Sequence, residues 1–239
     1  MTEHKQDLSA LYIPGAIVIA GLIIGVSIVF AFSGAGSLGG GGGTTAVAVN
    51  IDDVDLKGEP YIGELDAPVA IAYWFDFQCP YCKAVEMGHP QIPSEPALPR
   101  IISEYVDKGL VRIVYKDYAF LGPDSTTAAL YANAVWEMYP TKYSEWHEAM
   151  FEAQDEENAG FGNEESILAL IRGISGLDAG ALKARVEAKR TEYMAENDAD
   201  REEGTAMGVS GTPGFIIGTT LIPGAAGFSE FQTAIEAEL

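Results

Sequence analysis

Cys79 and Cys82 are the only cysteines of the chain, and they stand in the run Cys79-Pro80-Tyr81-Cys82. Two thiols at this spacing can do what neither does alone: pass between dithiol and disulfide, with a mixed disulfide to a second molecule in between. That chemistry needs one sulfur as thiolate, because the thiolate and not the thiol is the nucleophile. A structural cross-link is a poor alternative, since so short a loop removes little unfolded-state entropy, and a stapled scaffold spreads several cysteines along its sequence. Half of a zinc site is another, but zinc needs four ligands and only His89 and His147 remain after the N-terminal segment, in no paired spacing.

The elements around the pair give it a mechanism. Val69 to Phe77 (VAIAYWFDF) is a short, nearly continuous apolar run that reads as a central buried strand, and a helix is expected to open directly at the cysteines. The helix N-terminus then turns free N–H groups and partial positive charge toward the first sulfur. Cys79 is therefore expected to be the exposed nucleophile and Cys82 its more buried partner.

Pro90, Pro93, Pro96 and Pro99 forbid a continuous helix, so a second helical stretch is expected from about Leu98 to Asp107, ended by Gly109. Leu110 to Tyr115 alternates as the next strand. From Asp124 to Gly204 the period becomes helical. Tyr143, Trp146, His147, Met150 and Phe151 share one apolar face, which makes His147 a core residue and leaves His89 in a loop. Asn163 and Asp178 are N-cap residues of two more helices in an expected block of four. Gly214–Ile217 and Thr220–Ile222 form a hairpin, and Phe228 to Glu238 a closing amphipathic helix. The acidic loop 155–165 lacks the oxygen-ligand pattern of a calcium loop.

The chain has 239 residues with 14 basic and 35 acidic side chains, a net charge of −21. Nucleic-acid binding, which requires a basic stripe, is excluded on that ground. At 48% hydrophobic the chain can bury a real core. Ile13 to Phe32 carries no charge and matches the roughly 20 helical residues that cross a bilayer. It reads as an uncleaved transmembrane anchor after a cytoplasmic tail, 1–12, with a cleaved signal peptide as the competing reading. No Lys or Arg follows until Lys57, which places the remainder outside the cell membrane. A Gly-rich linker, 33–45, reads as a tether.

Phe75-Asp76-Phe77-Gln78-Cys79-Pro80-Tyr81-Cys82-Lys83, followed near the end of the chain by Gly211-Thr212-Pro213-Gly214-Phe215, closely resembles the DsbA-like branch of the thioredoxin superfamily. The resemblance implies an α/β thioredoxin-like fold over 46–123 and 206–239 with an all-helical insertion, 124–205. It implies a thiol:disulfide oxidoreductase that introduces disulfides into reduced exported proteins, with Cys79 and Cys82 as the redox pair. By the same resemblance Thr212-Pro213 is a cis bend facing the cysteines, Pro80 and Tyr81 shape the motif, and a quinone-linked membrane oxidase re-oxidises the pair. No metal or organic cofactor is required, since the cysteines carry the electrons.

Two departures stand out. Periplasmic members of that family carry a buried acid six positions before the nucleophile, where this chain has Tyr73. Asp76 is placed either to move the proton of Cys82 or, at a strand end, to be merely solvated. Tyr81 replaces a histidine whose imidazolium would favour the Cys79 thiolate, which points to a weaker oxidant. A reductase or isomerase would use the same residues, and a non-catalytic peptide-binding module is the alternative of a different class.

Overall fold

The computed structural model describes residues 49–239. The tail 1–12, the span 13–32 and the linker 33–45 expected from sequence lie outside the described residues. Among the described residues no helix is long and apolar enough to cross a membrane.

The strand that leads to the cysteines, β2 (Val69–Phe75), is apolar along its whole length because both of its faces are covered. It sits at the centre of a five-stranded sheet of order β1-β3-β2-β4-β5, in which β1 is Tyr61–Ile62, β3 Val111–Asp117, β4 Gly214–Ile217 and β5 Thr220–Pro223. β3 runs parallel to β2, with Tyr115 opposite Tyr73. β4 runs antiparallel on the other side, with Phe215 opposite Tyr73. A parallel neighbour needs a crossover, and α1 (Pro80–Met87) and α2 (Leu98–Ile101, continued as a π-turn through Val106) supply it. The α1 start is where the sequence places it: Cys79 is the N-cap and Pro80 opens the first turn, where a missing N–H costs nothing.

Four helices then follow: α3 (Pro123–Met138), α4 (Tyr143–Ala153), α5 (Glu164–Gly173) and α6 (Ala179–Ala206). Asn163 and Asp178 cap α5 and α6 by accepting from the Ser166 and Ala181 amides. All five expected apolar-face residues of α4 are buried, His147 among them. The hairpin β4–β5 turns at Gly218, and α7 (Phe228–Glu238) closes the chain.

Alternate residues of β2 serve two cores. Ile71, Tyr73 and Phe75 face the larger one, with Ile113, Tyr115, Phe215 and the helices α1, α4 and α7. Ala72 and Trp74 face the smaller one with Val54, Tyr118, Val209 and Ile216. The Trp74 indole N–H donates to the Asp200 carbonyl at 2.9 Å, drawing α6 onto the sheet. A Cβ at Gly204 would stand 2.7 Å from Trp74 Nε1, so the helix approaches this closely only because position 204 has no side chain. Gly204→Ala is expected to destabilise the protein by about 1–3 kcal/mol in chemical denaturation; a variant as stable as the wild type would contradict this packing.

Strands β2 and β3 differ from their expected bounds. β2 stops at Phe75 because Asp76 turns inward to collect hydrogen bonds from a neighbouring loop. β3 continues to Asp117 because Lys116 is buried and neutralised, with Nζ 2.6 Å from Asp200, 2.9 Å from Glu59 and 3.2 Å from Glu203. Burial opposes the charge on Lys116, but Asp200 and Glu59 outweigh it and hold the ammonium above its usual pKa.

Candidate active site

Where β2 gives way to α1, the chain makes a four-residue turn from Asp76 to Cys79, closed by the Cys79 N–H donating to the Asp76 carbonyl at 3.0 Å. The Cys79 carbonyl accepts from the Cys82 and Lys83 amides at 3.1 and 3.2 Å, so the helix starts on the first cysteine and places the second one turn along, facing inward. Thr212 and Pro213, joined by a cis peptide bond, arrive from the other side of the sheet just before β4. The Cys79 thiol donates to the Thr212 carbonyl at 3.3 Å. Residues more than a hundred positions apart thus meet at one sulfur, as the resemblance implies.

Cys79 is less open than the sequence suggests. It is 4% exposed, not an open nucleophile, because the Thr212 loop lies over its sulfur and Gln154 covers its backbone. Cys82 is fully buried, and Tyr81 between them is 53% exposed, so the motif turns its tyrosine outward.

The two thiols titrate in opposite directions. The Cys79 thiol is lowered to about 7, first by the hydrogen bond that the Cys82 thiol donates to it. Burial works against ionisation, while the Thr212 hydroxyl and the amides of Cys82 and Tyr81 favour it. The Thr212 carbonyl serves only the protonated form, as the acceptor of the thiol proton. On ionisation the surrounding donors outweigh that single lost bond. Burial pushes the Cys82 thiol well up, and the neighbouring Cys79 raises it further. One sulfur is therefore prepared to attack and the other to hold its proton until the first has reacted.

Asp76 is not solvated: it is 2% exposed. One carboxylate oxygen accepts from the Gln78 amide at 2.9 Å, and the other from the Phe120 and Leu121 amides at 3.0 and 3.2 Å and from the Ser125 hydroxyl. Burial nevertheless raises its pKa against these four donors. Tyr73 is buried and stacked on Phe215 at 4.4 Å, and its hydroxyl has no hydrogen-bond partner. The histidines lie elsewhere: His147 Nε2 pairs with Glu86 at 2.9 Å, and His89 accepts from the Gln91 amide in the loop after α1.

Three side chains that sequence reasoning passed over brace the turn. Gln154 Nε2 donates to the Phe77 carbonyl at 2.6 Å and to the Cys79 carbonyl at 3.1 Å. Gln78 donates to the Phe161 carbonyl and accepts from the Asn158 amide, each at 2.9 Å. Lys83 Nζ donates to the Gln154 carbonyl at 2.9 Å. The only signal in the sequence was Gln78 itself, a polar residue inside an otherwise apolar approach to the cysteines. Nothing marked Gln154, which comes from the end of α4.

Comparison with known proteins agrees with this geometry. A family model described as Thioredoxin matches residues 55–237. Disulfide bond formation protein D of Bacillus subtilis is 27% identical over 184 residues, which cover 77% of this chain and 78% of that protein. The oxidised crystal structure of BdbD from Bacillus subtilis superposes with a TM-score of 0.68 at 25% identity, over 81% of this chain and 97% of that one. A thioredoxin-like oxidoreductase from Silicibacter pomeroyi gives a TM-score of 0.64 at 27% identity, over 79% and 97% of the two chains. With a helical insertion in a thioredoxin-like sheet and a cysteine pair at the strand-to-helix turn, the chain belongs to the thioredoxin family, as a DsbA-like thiol:disulfide oxidoreductase.

Proposed function

We propose that the protein introduces disulfides into reduced exported proteins through Cys79 and Cys82. A substrate thiolate attacks Cys79 of the oxidised pair, the Cys79–Cys82 bond breaks, and a mixed disulfide links substrate to Cys79. A second substrate thiolate then attacks the substrate sulfur of that link, the substrate leaves oxidised, and Cys79 departs as thiolate. The observation that carries the exchange chemistry is a nearly covered Cys79 whose thiol is lowered to about 7 at 3.3 Å from Thr212. A stabilised thiolate is a good leaving group in the second exchange. The printed names of the Bacillus relatives, disulfide bond formation protein D, support disulfide introduction as the direction.

Pro80, Tyr81, Thr212 and Pro213 form the rim that a substrate segment meets, and Asp76 fixes the turn beneath it. A cleft of about 500 Å³ lined in part by Tyr118, Phe120, Thr205 and Ser210 reaches the segment two residues before Thr212. The uncharged run 13–32 supports a membrane anchor, with linker 33–45 carrying an extracytoplasmic catalytic domain, 46–239, built around the insertion 124–205. A quinone-linked membrane oxidase is the re-oxidising partner that the family resemblance supports.

One observation favours a reductase or isomerase instead: a nucleophile titrating at about 7 matches thioredoxin, whereas the strong oxidant DsbA has one near 3.5. Equilibrating the full chain against glutathione buffers decides between them. A potential well above thioredoxin's roughly −270 mV supports disulfide introduction, and one near that value supports reduction.

A further inference from the structure

One side-chain amide grips the main chain on both sides of the first cysteine's Cα. Gln154 Nε2 carries two hydrogens and donates to the Phe77 carbonyl at 2.6 Å and to the Cys79 carbonyl at 3.1 Å. These carbonyls stand two residues apart, so holding both at one nitrogen restrains the backbone dihedrals of Gln78 and Cys79 between them. Those dihedrals set the direction in which the Cys79 side chain, and with it Sγ, leaves the main chain. Gln154 is buried at the end of α4, and its own main-chain carbonyl accepts from Lys83 Nζ at 2.9 Å. Lys83 follows Cys82 on α1, so the clamp is anchored on the helix that carries the second cysteine.

The other hydrogen bonds of Cys79 are of two kinds. Its N–H to the Asp76 carbonyl, and its carbonyl from the Cys82 and Lys83 amides, lie within the turn and helix and move with them. Its thiol to the Thr212 carbonyl needs the thiol proton, so that bond is lost once Cys79 is a thiolate, a mixed disulfide or a disulfide. Of these ties, only the one from Gln154 reaches Cys79 from another element in every redox state. Resting on Cys79 as the exchanging sulfur, we infer that Gln154 is a positioning residue whose amide aims Cys79 Sγ at Cys82 for closure of the disulfide. In closure the Cys82 thiolate attacks Cys79 Sγ, the bond from Cys79 to its partner's sulfur breaks, and that sulfur leaves as a thiolate with the bond's electron pair. The attack needs three sulfurs in line, and a displacement of about 1 Å at a reacting centre can cost roughly a hundredfold in rate. The charged side chains about the clamp are Lys83 and, facing it, Glu152 and Asp155, and none of them bonds to either carbonyl.

The test compares the reduced full chain with Gln154→Met, of similar length without a donor, and with Gln154→Glu, of the same shape. Two quantities are followed: the alkylation rate of Cys79 against pH, and the rate at which Cys82 displaces glutathione from a mixed disulfide formed at Cys79 with glutathione disulfide. In Gln154→Met closure is expected to slow roughly tenfold or more. The alkylation midpoint is expected to move above about 7, because the sulfur turns away from the Cys82 thiol that chiefly supports its thiolate. In Gln154→Glu an ionised carboxyl has no hydrogen to give and a protonated one has a single hydrogen. Its closure rate relative to wild type should therefore be lowest at neutral pH and recover as the pH falls toward about 5. Both variants should lose stability in urea, but a role confined to stability moves neither closure nor the midpoint. Wild-type closure and an unmoved midpoint in folded Gln154→Met would overturn the proposal, as would a Gln154→Glu defect that pH leaves unchanged. If the wild type forms no mixed disulfide at Cys79, the exchange reading fails by itself, while the alkylation midpoint still tells whether Gln154 aims the sulfur.

Discussion

Cys82→Ser is expected to stop turnover while leaving the first exchange intact, so that the protein accumulates covalently linked to its partners. Cys79 reaches its thiolate with help from the Cys82 thiol, the Thr212 hydroxyl and two amides, and only the first of these is altered by a serine hydroxyl in the same place. What the variant lacks is an intramolecular attacker one helical turn away, which no external thiol matches in effective concentration. Mass spectrometry of the trapped material should place the link at Cys79, and the double variant Cys79→Ser, Cys82→Ser should trap nothing. Absence of any link in Cys82→Ser would remove the catalytic reading of the pair and leave only peptide binding at this surface.

Asp76→Ala is expected to cost about 3–5 kcal/mol, because three backbone amides and the Ser125 hydroxyl lose their acceptor together and part of that set is buried. Urea denaturation of the reduced protein measures it. Asp76→Asn separates a turn-fixing role from the proton-carrying role expected from sequence. Its single amide oxygen can serve the three donors at one position, but its NH₂ then faces the Gln78 amide, so an intermediate loss is expected, about 1–2 kcal/mol. If Asp76 only fixes the turn, resolution of a mixed disulfide by Cys82 keeps its pH profile in the Asn variant. A profile that loses a limb would show that the carboxyl carries the proton of Cys82.

Sequence and structure agree where periodicity or local chemistry decides. The apolar run before the cysteines makes the central strand, the 3.6-residue spacing of Tyr143, Trp146, His147, Met150 and Phe151 makes a buried helix face, and Asn163 and Asp178 cap as their type allows. They part where distant partners decide. Lys116 lies one residue past the strand expected from sequence, yet it is buried within β3 because Glu59, Asp200 and Glu203 converge on it from segments far along the chain. Tyr61–Ile62 is too short to show alternation and is a strand only because β3 offers it an edge. The motif located Cys79, but its exposure depends on the Thr212 loop and on Gln154, neither adjacent in sequence. The vacant hydrogen-bonding capacity of Tyr73 is invisible in sequence, since a tyrosine in an apolar strand looks like any other aromatic core residue.

The most direct test of the account is the ionisation of Cys79 in the reduced full chain, followed by its alkylation rate against pH. A thiol held at about 7 by its donors is half ionised at that pH. Its rate should fall about tenfold per pH unit well below the midpoint, as the thiolate is protonated, and rise less than about twofold between pH 7 and 8 as ionisation completes. A rate that climbs about eightfold between pH 7 and 8, the behaviour of a thiol near its ordinary pKa of about 8.5, would contradict a preformed nucleophile at the start of α1.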